Sequence, residues 1–132
     1  MRTWLLAAGL LVISGVASAQ TPLSDRLKSI QSDPAALKSA LDAGRKASSF
    51  CANCHGEEGV SKSVEIPNLA GQNPAFLLEQ IRKFASGERK DAFMQGLIKI
   101  LKDEERLQIA LYYAGMSVPP SRADAAQAAK GK

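Results

Sequence analysis

Five consecutive residues, Cys51-Ala52-Asn53-Cys54-His55, hold both cysteines and the one histidine of a 132-residue chain. That concentration limits the chain more than any other feature, because its thiolate chemistry and its only side chain titrating near neutrality must act at one place. A structural zinc site wants four protein ligands, usually Cys and His, and this chain offers three. A thioredoxin-like redox pair wants its C-x-x-C beside a β-α-β pattern, which the sequence lacks. A plain disulfide between Cys51 and Cys54 stays open, but it leaves the adjacent His55 without a role.

C-x-x-C-H is also the signature of covalent haem attachment. Two thiols three residues apart on a tight helical turn reach the two vinyl groups of one porphyrin, and the histidine that follows is held beneath the iron as an axial ligand. No second histidine exists for the opposite face. Met116 falls at the edge of the tail, whereas Met94 falls in an expected flexible loop, after Phe93 and just before Gly96. The loop is the better place from which to bring a thioether over a planar group. The competing reading makes Met94 a core filler and leaves the iron five-coordinate or bound by Lys or water.

The N-terminus names the compartment. Arg2 is followed by an apolar run from Trp4 to Ala17 without a charge, and Ala17-Ser18-Ala19 is a small-x-small cleavage pattern. Residues 1–19 are therefore expected to be a cleaved export signal, the alternative being an uncleaved anchor, although the run is shorter than the roughly 20 apolar residues of a membrane span. Thioether attachment is made outside the cytoplasm, so signal and motif agree on a periplasmic location. The net charge of +4 is far from the clustered excess of a nucleic-acid-binding chain, and no nucleic-acid partner is expected.

Along the rest of the chain, residues 20–32 are polar and read as a loosely ordered lead-in. Asp33-Pro34 is a helix start, and the helix is expected to run into Phe50 and Cys51. Asn73-Pro74 opens a second helix that Gly87 stops, and Asp103-Glu104-Glu105 opens a last one, closed by Gly115. Gly96 to Leu101 is expected to add a helical turn or two, and Val64-Glu65-Ile66 is the one strand-like run. The fold class is thus all-α, with three to four helices, a domain over residues 33–116 and a flexible Ala-rich tail over 117–132. Long connections over residues 55–73 and 87–95 are unusual in so small a helical domain. A large flat apolar cofactor filling the middle accounts for them.

In order along the chain, Gly44, CANCHG at 51–56, Pro67-Asn-Leu-Ala-Gly-Gln72, Phe76-Leu-Leu-Glu-Gln80, Gly87-Glu-Arg89 with Met94 beyond it, and Asp103 leading to Ala110-Leu-Tyr-Tyr113 resemble the bacterial class I c-type cytochromes. The likeness is to the small periplasmic monohaem type and to one half of the dihaem type. It implies a cytochrome c fold wrapped around one covalent haem c, with Cys51 and Cys54 attached and iron held between His55 and Met94. It also implies that the Pro67 carbonyl orients the His55 ring, and that Gly44 lets the first helix cross closely against the last near Tyr112. Two departures from the pattern stand out: Glu57-Glu58 beside the haem histidine, and Leu97 where relatives often carry a second Met.

The function implied is that of a one-electron carrier shuttling between redox partners (an oxidase, reductase or dehydrogenase), with no catalytic residue of its own. The alternative is a haem-bearing electron-transfer subunit of a periplasmic oxidoreductase complex. A third reading, a ligand-binding haem, would require Met94 not to bind. Lys62, Arg82, Lys83, Arg89 and Lys90 are candidates for a basic docking rim, unless they are ordinary solvated charges. Gln72 and Arg89 are the candidates for the haem propionates.

Overall fold

The computed structural model describes residues 21–118. The expected export signal lies outside the described residues, as does all of the tail beyond Val118. Six helices follow in order: α1 Leu23–Ser32, α2 Pro34–Ala47, α3 Ala52–His55, α4 Pro74–Ser86, α5 Ala92–Ile100 and α6 Asp103–Ala114. No strand occurs among the described residues, and the strand-like Val64-Glu65-Ile66 lies in turn and bend, with Val64 fully exposed.

Local chemistry explains where most of these helices begin. The Asp33 side chain accepts from the backbone N–H of Ala35 and Ala36, at 2.9 and 3.2 Å, with Pro34 in the first turn of α2. Asn73 caps α4 through the Phe76 N–H at 3.1 Å, and Gly87 ends it in the left-handed region. At the start of α6 the Glu105 carboxylate accepts from the Lys102 N–H at 2.8 Å, which satisfies one exposed donor there.

Three further expectations need correction. α2 ends at Ala47 instead of running into Phe50 and Cys51. Within the expected loose lead-in over 20–32, Leu23–Ser32 is a helix, α1. Its Leu23, Leu27 and Ile30 share one face, Leu27 is only 2% exposed, and Arg26 forms an ion pair with Glu104 of α6. Three apolar residues across ten are too few to hold a helix in isolation; packing on α2 and α6 supplies the difference. Likewise, residues 92–95 are not loop. The Asp91 carboxylate accepts from the Met94 N–H at 2.8 Å, so α5 starts at Ala92 and places Met94 in its first turn.

α2 and α6 form the principal helix pair, and α4 lies against α6. Gly44 makes the close approach possible, because a Cβ there would overlap the Gln108 carbonyl and come within 2.8 Å of the Tyr112 Cβ. Around this crossing Leu107, Ala110, Leu111 and Tyr113 of α6 are buried with Ala40, Leu77 and Leu78. The core is therefore centred on α6, and one face of it is continuous with the cleft formed by α3, the 56–73 loop and α5.

Candidate functional site

Cys51 to His55 form a tight turn in which the His55 N–H donates to the Cys51 carbonyl and the Gly56 N–H to that of Ala52, each at 2.9 Å. The chain turns out of it at Gly56, where φ is +83° and a Cβ would overlap the Val60 carbonyl. Beyond, the loop folds back on itself. The Gly59 carbonyl accepts from the N–H groups of both Leu69 and Ala70, at 2.8 and 3.1 Å, and the Gly71 N–H donates to the Tyr113 carbonyl of α6 at 2.9 Å. This folding sets the Pro67 carbonyl oxygen 2.8 Å from His55 Nδ1. A carbonyl only accepts, so Nδ1 carries a hydrogen, which in the neutral ring leaves Nε2 its lone pair.

His55 is buried and borders a cleft of two lobes, about 660 and 450 Å³. Cys51, Pro67, Met94 and Ile98 line both lobes, and Cys54 lines the larger. The two cysteines form no disulfide; Cys51 is half-buried and Cys54 exposed. Met94 is half-buried and reaches the cleft from α5, whereas His55 reaches it from α3. Size, apolar lining, two thiols, an imidazole with a free Nε2 and a thioether together fit a flat apolar group bearing a metal with one nitrogen and one sulfur ligand.

The electrostatics of Cys51 agree with an anchoring rather than a redox role. Burial pushes the Cys51 thiol above its ordinary value, against a backbone hydrogen bond that pulls it down, with Cys54 adding a smaller upward push. A redox dithiol needs the opposite shift. Tyr113, also lining the smaller lobe, is pushed up to about 12, chiefly by burial. The Ser48 hydroxyl pulls it down by less than burial raises it.

The five basic residues have different surroundings. The Arg82 guanidinium bonds both Glu79 and Glu88, at 2.7 to 2.9 Å, and Lys83 lies 3.9 Å from Glu79. Glu79 precedes Arg82 by one helical turn, so the helix itself brings the countercharge to it. Lys62 borders a separate groove with Glu57 and Glu58, and only Arg89 and Lys90 line the cleft. The larger lobe is also lined by the apolar Phe50, Phe93 and Ile100 together with the carboxylates Glu65 and Asp91, none of which the sequence reading singled out for the site.

No protein-family model matches the chain. Cytochrome c4 of Pseudomonas aeruginosa is 34% identical over 90 residues, covering 68% of this chain and 45% of that protein. The cytochrome subunit of sulfide dehydrogenase of Chlorobaculum tepidum is 33% identical over 113 residues, covering 86% of this chain and 96% of that one. The chain belongs to the class I c-type cytochromes. The solved structure of reduced recombinant cytochrome c4 from Pseudomonas stutzeri superposes with a TM-score of 0.55 at 25% identity, over 64% of this chain and 50% of that one. This cytochrome therefore has the cytochrome c fold and resembles one half of a dihaem type, spanning about half the length of the cytochrome c4 relatives. Haem c, covalently bound, is the cofactor of this family, and the donor set of the cleft fits it. Among the described residues of this cytochrome, no helix is long and apolar enough to cross a membrane.

Proposed function

We propose that this cytochrome is an exported, periplasmic one-electron carrier, with haem c joined through Cys51 and Cys54 and iron held by His55 and Met94. The observation that carries it is the 2.8 Å contact between His55 Nδ1 and the Pro67 carbonyl, in a cleft that also gathers both thiols and Met94. The contact orients the imidazole and raises its basicity, leaving Nε2 for the metal. Haem c supplies a ferric/ferrous couple when bound, and a Met opposite a His raises its potential. The chain's part is to hold both ligands and exclude water with Leu69, Leu77, Ile81 and Ile98. Export rests on residues 1–19 and on the site of thioether formation.

Partners are redox proteins. A second reading is a haem-bearing subunit of an oxidoreductase complex. That reading draws support from the sulfide dehydrogenase subunit, matched over nearly its full length. A reduced-minus-oxidised spectrum with redox titration of the protein purified from the periplasmic fraction tests the site. Absence of covalent haem there, or an intact Met1, overturns the proposal. Size exclusion of the native extract separates the two readings: a free carrier elutes alone, a subunit with a larger partner.

A further inference from the structure

The nine residues of α5 carry Met94 in the first turn and Ile98 one turn later, and both residues line both lobes of the cleft. A helix this short is not stable by itself, so whatever holds its two ends decides where Met94 stands. The Asp91 carboxylate holds the first end. At the second the backbone becomes extended at Leu101, and the carbonyls of the last turn lose their helical partners. The Ile98 carbonyl keeps a long bond from the Leu101 N–H, at 3.3 Å. Arg106 reaches it from near the start of α6: its Nη2 donates to the Ile98 carbonyl at 3.0 Å, while its Nη1 donates to Asp103 at 3.0 Å.

This contact differs from the surface ion pairs. The Arg106 side chain is 18% exposed, against 48% for Arg82, and it brings a full positive charge to the negative end of the α5 dipole, where water screens it poorly. Among the described residues, no other side chain of a different helix hydrogen-bonds to α5. Only a planar fork bonds Asp103 and the carbonyl at once, which a single ammonium does less well. Arg106 lines neither lobe of the cleft, so whatever it does there is done through α5. We propose that Arg106 is a positioning residue for Met94: by capping Ile98 it ties α5 to α6 and keeps the thioether from leaving the iron. This rests on the proposed ligation by His55 and Met94.

The test is the binding of added imidazole to purified ferric holoprotein, since an outside ligand takes the sixth position only when Met94 leaves it. Arg106→Met keeps the stem and removes the donors. It is expected to bind imidazole on the order of tenfold more tightly, the weight of one charge-assisted hydrogen bond, and to weaken the red charge-transfer absorption of the ferric iron–thioether bond. Arg106→Lys, which still offers a cationic donor, is expected to recover part of the change, and Asp103→Asn to bind as the wild type does. Leu27→Ala weakens the core beneath α1 and is expected to lower overall stability while leaving imidazole affinity unchanged. Arg106→Gln, uncharged and shorter, takes the place of the Met variant should that one not accumulate. An affinity raised no more than in Leu27→Ala, or no recovery with Lys, overturns the inference. Wild-type protein without the thioether absorption overturns the Met94 assignment itself, which is a different result.

Discussion

His55 Nδ1 and the carbonyl oxygen of Pro67, twelve residues apart, stand 2.8 Å from one another. The contact spans a loop that would otherwise have no reason to return to the motif, and it determines which imidazole nitrogen is free. His55→Ala is expected to abolish stable holoprotein, because the proximal bond and the fold-back of the loop are lost together. Haem staining after denaturing electrophoresis checks this, and wild-type levels of red protein would count against it.

Met94 is anchored from α5 by the Asp91 cap on its own N–H, so its position does not depend on a mobile loop. Met94→Ala is expected to lower the reduction potential and let the ferrous protein bind carbon monoxide spontaneously. An unchanged potential with no carbon monoxide spectrum removes Met94 from the iron.

The α2–α6 crossing tolerates no side chain at residue 44, where a Cβ would meet the Gln108 carbonyl. Backbone cannot move aside as a flexible side chain can, so Gly44→Val is expected to destabilise the fold by about 3 kcal/mol or more. Denaturant unfolding followed by circular dichroism measures it, and a loss under about 1 kcal/mol would mean that the helices separate easily.

α1 is held by Leu27, 2% exposed in the core cluster. Leu27→Ala is expected to cost about 2 to 3 kcal/mol, as a cavity opens against α2 and α6. Were residues 23–32 only a lead-in, the substitution would be silent in the same unfolding experiment.

The Arg82 guanidinium holds the Glu88 carboxyl down at about 2, with Ser86 assisting, against an ordinary value of 4.5. A carboxyl lowered in the folded state stabilises at pH above 4.5, and that contribution fades as the pH falls from there through 2. Because the pair is solvent-exposed, the effect is small and salt-sensitive. Glu88→Gln is expected to flatten the acid limb of thermal stability slightly between pH 5 and 3, with no change at pH 7 beyond loss of the ion pair. An identical acid limb in the variant would show that the pair contributes nothing.

Helices α2, α4 and α6 were legible because their ends are written in adjacent residues: Asp33-Pro34, Asn73-Pro74 with Gly87, and the acidic run from Asp103. α5 was legible only in its second half, since Asp91 reads as one more polar loop residue until its carboxylate is seen on the Met94 N–H. α1 escaped because its helicity depends on where Leu27 is buried rather than on its own composition. The basic residues show the same limit. A charge count records Arg82 but not that Glu79 and Glu88 have both been folded onto it.

The sequence by itself determined the chemistry: two thiols and an imidazole within one helical turn, and the helix ends that frame them. Such features are legible because they involve neighbours in the chain, whose separation the backbone dictates. Only the tertiary structure decided the rest. It set the Pro67 carbonyl 2.8 Å from His55, as the resemblance implied, closed the cleft between α3 and α5, and folded two carboxylates onto Arg82. Those relationships depend on helix packing around α6, where Gly44 admits a backbone contact that no local pattern announces.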